Sequence, residues 1–242
     1  MKLLRDGATR RGLLHGLPIA LGYLSVSFGF GISASLGGLS PLAATLISLT
    51  NLTSAGQVAG LAIILSAGPL LEMALTQLVI NIRYFLMSLS LSQRLDGSFS
   101  LRHRLFVAFG ITDEIFGVAA SQREPLTPRY MYSLMLLPIL GWTLGTLLGA
   151  VAGNILPSGI KHALGIAIYG MFVAIVVPPM RTDRGVLVGV TVAVAVSCLL
   201  SYFPIFSFIT SGFSIILSAA VAATVAALLF PIPDEKERED KV

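Results

Sequence analysis

The chain has 242 residues, of which 55% are hydrophobic and 12% charged, and its mean hydropathy is +0.87. A soluble domain carries about 25% charged residues, so lipid rather than water solvates most of this chain, and the pattern excludes a soluble globular fold. The net charge of +4 does not signal nucleic acid, because the Lys and Arg fall in short loops between apolar runs, where they encode membrane topology.

The N-terminus carries Lys2, Arg5, Arg10 and Arg11, then an apolar run from Leu13 to Leu36. A secretory signal has a similar start, with Ser33-Ala34-Ser35 as a weak cleavage candidate. The run, however, is much longer than the roughly 7–15 residues of a signal's apolar region. It is expected to remain as the first helix. Further apolar runs occupy 41–67, 69–92, 105–121, 130–153, 162–179, 185–203 and 211–230. About 20 apolar residues cover the hydrocarbon core, so eight full spans are the simplest count.

Two of these runs are interrupted. Run 41–67 contains Asn51-Leu52-Thr53-Ser54-Ala55-Gly56-Gln57, a polar break with a glycine. Run 105–121 has Asp113 and Glu114 at its centre, with Gly110 and Gly117 on either side. Non-helical backbone at membrane depth is tolerated only under cover of protein or beside a water-filled cavity, and broken helices form the binding sites of many transporters. A long tilted helix with its polar groups bonded to neighbours is the alternative for 41–67.

The charges favour the breaks. With the N-terminus cytoplasmic, strict alternation leaves Arg94, Arg102, Arg104 and Lys161 outside and eleven Lys/Arg inside. If both interrupted runs enter and leave on one side, fourteen lie inside, Lys161 alone lies outside, and Arg83 lies in the membrane. Short cytoplasmic loops hold the excess of Lys and Arg. The expected fold is therefore an all-α integral membrane protein, a polytopic helical bundle of about six full spans plus two broken or re-entrant segments, with eight full spans as the alternative. Residues 1–12 read as a basic cytoplasmic N-terminus, 13–230 as a single transmembrane transport domain, and 231–242 as a charged cytoplasmic tail.

Pro138 is expected to kink run 130–153, and Pro178-Pro179 to end run 162–179. Leu17-Pro18 with Gly22 and Leu137-Pro138 with Gly141 each open a glycine-rich run, a weak hint of two related halves. Cys198 stands alone among apolar residues and is expected to be an inert packing residue. His15, His103 and His162 share no metal-ligand spacing, and no metal or other cofactor is expected.

Polar residues in the spans are the candidates for function. An intramembrane charge costs about 3 kcal/mol on insertion scales and by default marks a functional site. In run 69–92, Glu72, Thr76, Arg83 and Ser90 share one helical face, and Gln77, Asn81, Tyr84 and Ser88 lie about 100° round. Glu72 and Arg83 stand about 16 Å apart along the axis, too far to pair. Glu72 lies near the end of its run and can alternatively reach headgroups. Arg83 is the deepest charge. Asp113 and Glu114, being adjacent, point in different directions on a helix. One is expected to bind or carry a proton and the other to pair with Arg83 or a loop arginine, unless both sit at a loop surface. No nucleophile elbow, metal motif or phosphate-binding glycine loop is present, so no catalytic residue is assigned and an enzyme is not expected.

Ala55-Gly56-Gln57, Asn81-Ile82-Arg83-Tyr84 with Leu86-Met87-Ser88, and Thr112-Asp113-Glu114 with Phe116 together resemble the AzlC family. Trp142 followed by Gly145-Thr146, Gly149-Ala150 and Gly153, and Gly165 with Phe172 and Pro178, are similar too. The resemblance runs from about residue 12 to 230 and rests on the order and spacing of these pieces. It implies the large subunit of a branched-chain amino acid exporter: a permease for leucine, isoleucine, valine and methionine in the bacterial cytoplasmic membrane, coupled to the proton gradient. It further implies a small AzlD-like membrane subunit as partner. Tyr84 departs from the family pattern, where many relatives carry His, which puts the coupling in doubt. On this reading Asn51, Ser54, Gln57, Gln77, Asn81, Arg83 and Tyr84 line the path of the amino-acid substrate, and Asp113, Glu114 and Glu72 serve proton coupling. A passive channel for a small solute and a non-transporting subunit of a membrane complex are the rival classes.

Overall fold

The computed structural model describes residues 7–157, 159–160, 169–170, 173 and 176–231. Nine helices carry the argument. They are α1 (Gly7–Leu36), α2 (Pro41–Thr50), α3 (Ser54–Leu65), α4 (Leu70–Ser92), α5 (Leu101–Phe109), α6 (Asp113–Ala120), α7 (Pro128–Ile155), α8 (Arg184–Tyr202) and α9 (Ser211–Leu229). Among the described residues, α1, α4, α7, α8 and α9 are long and apolar enough to cross a membrane. Most of run 162–179 lies outside the described residues. The chain is an all-α polytopic membrane protein.

Two compact units are present. One contains residues 1–61 and 80–169, the other residues 62–79 and 170–242. The first is built on α1 and α7. Gly12 lies against Tyr130 and Ser133, Ala20 against Gly141, Phe28 against Gly149, and Ser35 against Gly153. The numbers rise together, so the two helices are parallel. Small residues allow this closeness: a Cβ on Gly149 would overlap the backbone of Phe28, and one on Gly145 the backbone of Leu24. The segments that hinted at two related halves are these packed partners.

Both interrupted runs are broken. A threonine N-cap starts each second half: the Thr53 hydroxyl accepts from Gly56 N–H and the Thr112 hydroxyl from Ile115 N–H. The sequence places a capping hydroxyl where an isolated half-helix needs one. At about 1.5 Å per residue, α2 and α3, with 10 and 12 residues, are each too short to span about 30 Å of hydrocarbon.

The α5–α6 pair is a re-entrant hairpin. Its base sits at the end where α1 and α7 begin. His103 Nδ1 is 2.8 Å from the hydroxyl of Tyr132, the Arg94 guanidinium donates to the carbonyls of Ala120 and Gln122, and Asp96 N–H donates to Leu126 O. Its tip, Gly110–Thr112, reaches the hydroxyl of Tyr23, and Tyr23 lies midway along α1 beside Trp142. Gly110 fits because a Cβ there would collide with Met135. The hairpin floor is a core of Leu91, Val107, Ile111, Ile115, Leu126, Met131, Leu134 and Met135.

α1 ends beside Gly153 of α7, at the face opposite the hairpin base. Over Arg83 to Arg94, α4 runs from the hairpin tip toward its base. Both interrupted runs are pairs of helices each shorter than a span, α2 with α3 and α5 with α6.

In the second unit, α8 and α9 pack on each other, and the Asp183 carboxylate caps α8 by accepting from Gly185 and Val186 N–H. Three expectations need correction. Pro178-Pro179 do not end a helix: residues 176–182 are helical, and the Pro179 carbonyl accepts from Asp183 N–H. Proline lacks the donor but keeps the acceptor, so a helix can continue beyond it. Cys198 is exposed on α8, which contributes no buried residue, rather than packed. Ser90 is exposed while Glu72 and Thr76 are buried, because α4 changes surroundings as it passes from one unit to the other.

Candidate functional site

The hairpin tip gathers the ionisable residues. α6 begins at Asp113, so both acids fall in its first turn, where the partial positive charge of a helix N-terminus favours carboxylates. Asp113 Oδ2 is 2.9 Å from Arg83 Nη2 on α4, with side chains 39% and 43% exposed. This is a pair that water or a polar solute can reach. Arg83 also donates to the Tyr84 hydroxyl at 3.3 Å, and its guanidinium lies 5.0 Å from the centre of the Tyr84 ring. Glu114 turns the other way and accepts from the Tyr23 hydroxyl at 2.5 Å. The same hydroxyl is 2.6 Å from Thr112 Oγ1. The two adjacent acids thus face different partners on different helices.

The first break lies on the same chain of contacts. Gln57 is 1% exposed. Its Oε1 accepts from Trp142 Nε1 at 2.7 Å, and its Nε2 donates to Ser48 Oγ at 2.6 Å. Ser48 Oγ is in turn 2.6 Å from Thr146 Oγ1. The Trp142 ring meets the Tyr23 ring edge-on, with centroids 5.2 Å apart. One series of contacts therefore runs from Ser48 and Gln57 through Trp142 and Tyr23 to Thr112 and Glu114. Buried polar groups of this kind rigidify when every member is satisfied.

The predicted residues divide by environment. Arg83, Tyr84, Asp113 and Glu114 come together at the hairpin tip. Asn51 and Ser54 are half-buried at the first break, and Gln57 is engaged there through both ends of its amide. Asn81 is half-buried in the same unit. Gln77 belongs to the other unit, where its Nε2 lies 3.8 Å from Met73 Sδ. Glu72 belongs there too and is 1% exposed, so it does not reach for headgroups. Sequence reasoning missed Tyr23 as a site residue. Its signal was a phenol in the middle of an otherwise apolar helix.

Two broken runs and an arginine–carboxylate pair at the tip of one of them, in an all-α polytopic chain, fit a membrane protein of transporter type. Residues 18–156 match the family model described as AzlC protein. An uncharacterized membrane protein of Archaeoglobus fulgidus is 32% identical over 197 residues, covering 80% of this chain and 86% of that protein. Inner membrane protein YgaZ of Escherichia coli is 26% identical over 231 residues, covering 93% of each. No solved structure matches the chain. The chain belongs to the AzlC family.

Proposed function

We propose that this chain is a permease exporting branched-chain amino acids, leucine, isoleucine and valine, with methionine as a further substrate. A zwitterionic amino acid needs a cation for its carboxylate and an anion for its ammonium group. The observation that carries the reading is the Arg83–Asp113 pair, half-exposed at the hairpin tip. Substrate replaces that internal partnership: Arg83 takes the carboxylate, and Asp113, at the start of α6, takes the ammonium. Arginine suits the role because its planar fork binds a carboxylate through two parallel bonds. The apolar residues around the tip accept the branched side chain.

Export is coupled to the proton gradient. Asp113, Glu114 and Glu72 are the acids that serve the coupling: Asp113 pairs with Arg83 or with substrate, and Glu114 accepts from the Tyr23 hydroxyl. Both termini and the loop 93–104 face the cytoplasm, in keeping with the fourteen-to-one distribution of Lys and Arg. The chain works in the bacterial cytoplasmic membrane with a small AzlD-like membrane subunit. Proteoliposomes containing the chain, with and without that subunit, test the reading. Labelled leucine should exchange against internal leucine, and an imposed proton gradient should drive it uphill. A passive channel would give neither exchange-stimulated uptake nor accumulation.

A further inference from the structure

The second unit contains an acid whose surroundings differ from those of Asp113 and Glu114. Glu72 is 1% exposed and Thr76, one turn later on α4, is 0% exposed. Glu72 Oε1 accepts from the Gly212 N–H of α9 at 2.7 Å. Its Oε2 and Thr76 Oγ1 are buried with no hydrogen-bond partner among the described residues. Glu72 and Thr76 both lie against Gly212: a Cβ there would be 2.6 Å from Glu72 Oε1 and 2.6 Å from Thr76 Oγ1.

Oε2 is on the side of the Ser66–Pro69 connection, where a Cβ on Gly68 would come within 3.2 Å of it. α3 ends there through a left-handed residue, Ala67 (φ 52°), with Gly68 N–H returning to Ile63 O. A helix C-terminus carries partial negative charge, the wrong sign for a bare carboxylate. The other described charged side chains of this unit are Arg181, Asp183 and Arg184. Among the described residues, none forms an ion pair with Glu72. A buried carboxylate without a counter-charge is costly, and here Glu72 Oε2 and, one turn along α4, Thr76 Oγ1 are both buried polar atoms that no described residue bonds.

We propose that Glu72 and Thr76 hold a sodium ion on the oxygen atoms that no described residue bonds. One positive charge balances the carboxylate. The Gly212 amide fixes Oε1 so that Oε2 presents to the ion, and Thr76 Oγ1 supplies a second hard oxygen. A role for this cation in driving export rests on the reading above; its binding does not.

The test uses the full-length protein in lipid nanodiscs and reads the thermal unfolding midpoint. Sodium chloride is titrated against N-methyl-D-glucamine chloride at constant ionic strength and pH, and a pH series is run without sodium. A sodium site raises the midpoint saturably, an effect lost in Glu72→Gln and shifted to several-fold higher sodium in Thr76→Val. The proposal is overturned if the midpoint does not respond to sodium, whatever the pH series shows, or if the sodium response survives unchanged in Thr76→Val and Glu72→Gln. Leucine-induced stabilisation, measured in parallel, reports the Arg83 site. Its loss with the cation response intact would remove the amino-acid reading and leave this one standing.

Discussion

Arg83 on α4 and Asp113 on α6 form a 2.9 Å ion pair at the tip of a re-entrant hairpin. The pair joins a crossing helix to a segment that only half-crosses. A relative shift of the two would break it, and a zwitterion can replace it.

Substitution at Asp113 and at Glu114 should therefore have unequal effects. Asp113→Asn leaves Arg83 without its anion and removes the proposed ammonium contact, and should reduce leucine binding severalfold, because water screens the half-exposed pair. Glu114→Gln keeps a hydrogen-bond acceptor for Tyr23 and should spare binding while lowering gradient-driven export. Exchange and uphill transport, measured side by side for both variants, check this split. Identical profiles would contradict it.

Tyr23→Phe removes a hydroxyl that touches both Glu114 and Thr112. A hydrogen bond to a charged group contributes about 1.5–3 kcal/mol, here reduced by the exposure of Glu114. Hydrogen exchange of the amides from 110 to 116 should accelerate in the variant, with the rest of the unit unchanged. Unaltered exchange at the tip would mean that α1 does not hold the hairpin.

Gln57→Leu should leave the Trp142 indole N–H without an acceptor in a buried site, while Ser48 keeps Thr146. Each unsatisfied buried group costs about 1–3 kcal/mol, so the unfolding midpoint should fall by several degrees. Gly149→Leu is the harsher change, because its side chain would run into the Phe28 backbone. Overpacking of this kind costs about 1–3 kcal/mol or more, and the protein should fail to accumulate in the membrane.

Topology is checked by Ser98→Cys in a Cys198→Ala background. Position 98 lies at the hairpin base, which the charge distribution assigns to the cytoplasm. An impermeant thiol reagent should label it in inverted vesicles and not in intact cells. Labelling from outside would reverse the assignment.

Much of this architecture was legible in the residues. The apolar runs matched α1, α4, α7, α8 and α9 closely, because a span must be long and uninterrupted. The two breaks showed as a polar, glycine-containing stretch at 51–57 and as two central acids flanked by Gly110 and Gly117; the threonine caps emerged only in the structure. The pairing of one acid of the 113–114 couple with Arg83 was among the expected arrangements, and geometry selected Asp113. Tyr23, Ser48 and Thr146 were not found. A serine or threonine hydroxyl in an apolar helix usually bonds its own backbone, as Ser33 does to Gly29 O, so nothing local distinguishes Ser48 and Thr146, which reach across to each other. The partner of Tyr23 lies 91 residues away in the chain. Nor could hydropathy reveal that Glu72 and Arg83, on one helical face, belong to different compact units, since that depends on what packs against each half of α4.

The central claim is that Arg83 receives the carboxylate of an amino-acid substrate. Counterflow of labelled leucine in proteoliposomes loaded with unlabelled leucine tests it most directly, comparing wild type with Arg83→Gln and Arg83→Lys reconstituted to equal density. The account predicts transient accumulation of label by the wild type, none by Arg83→Gln, and little by Arg83→Lys, which cannot make the two-pronged contact. Wild-type counterflow by Arg83→Gln would contradict it.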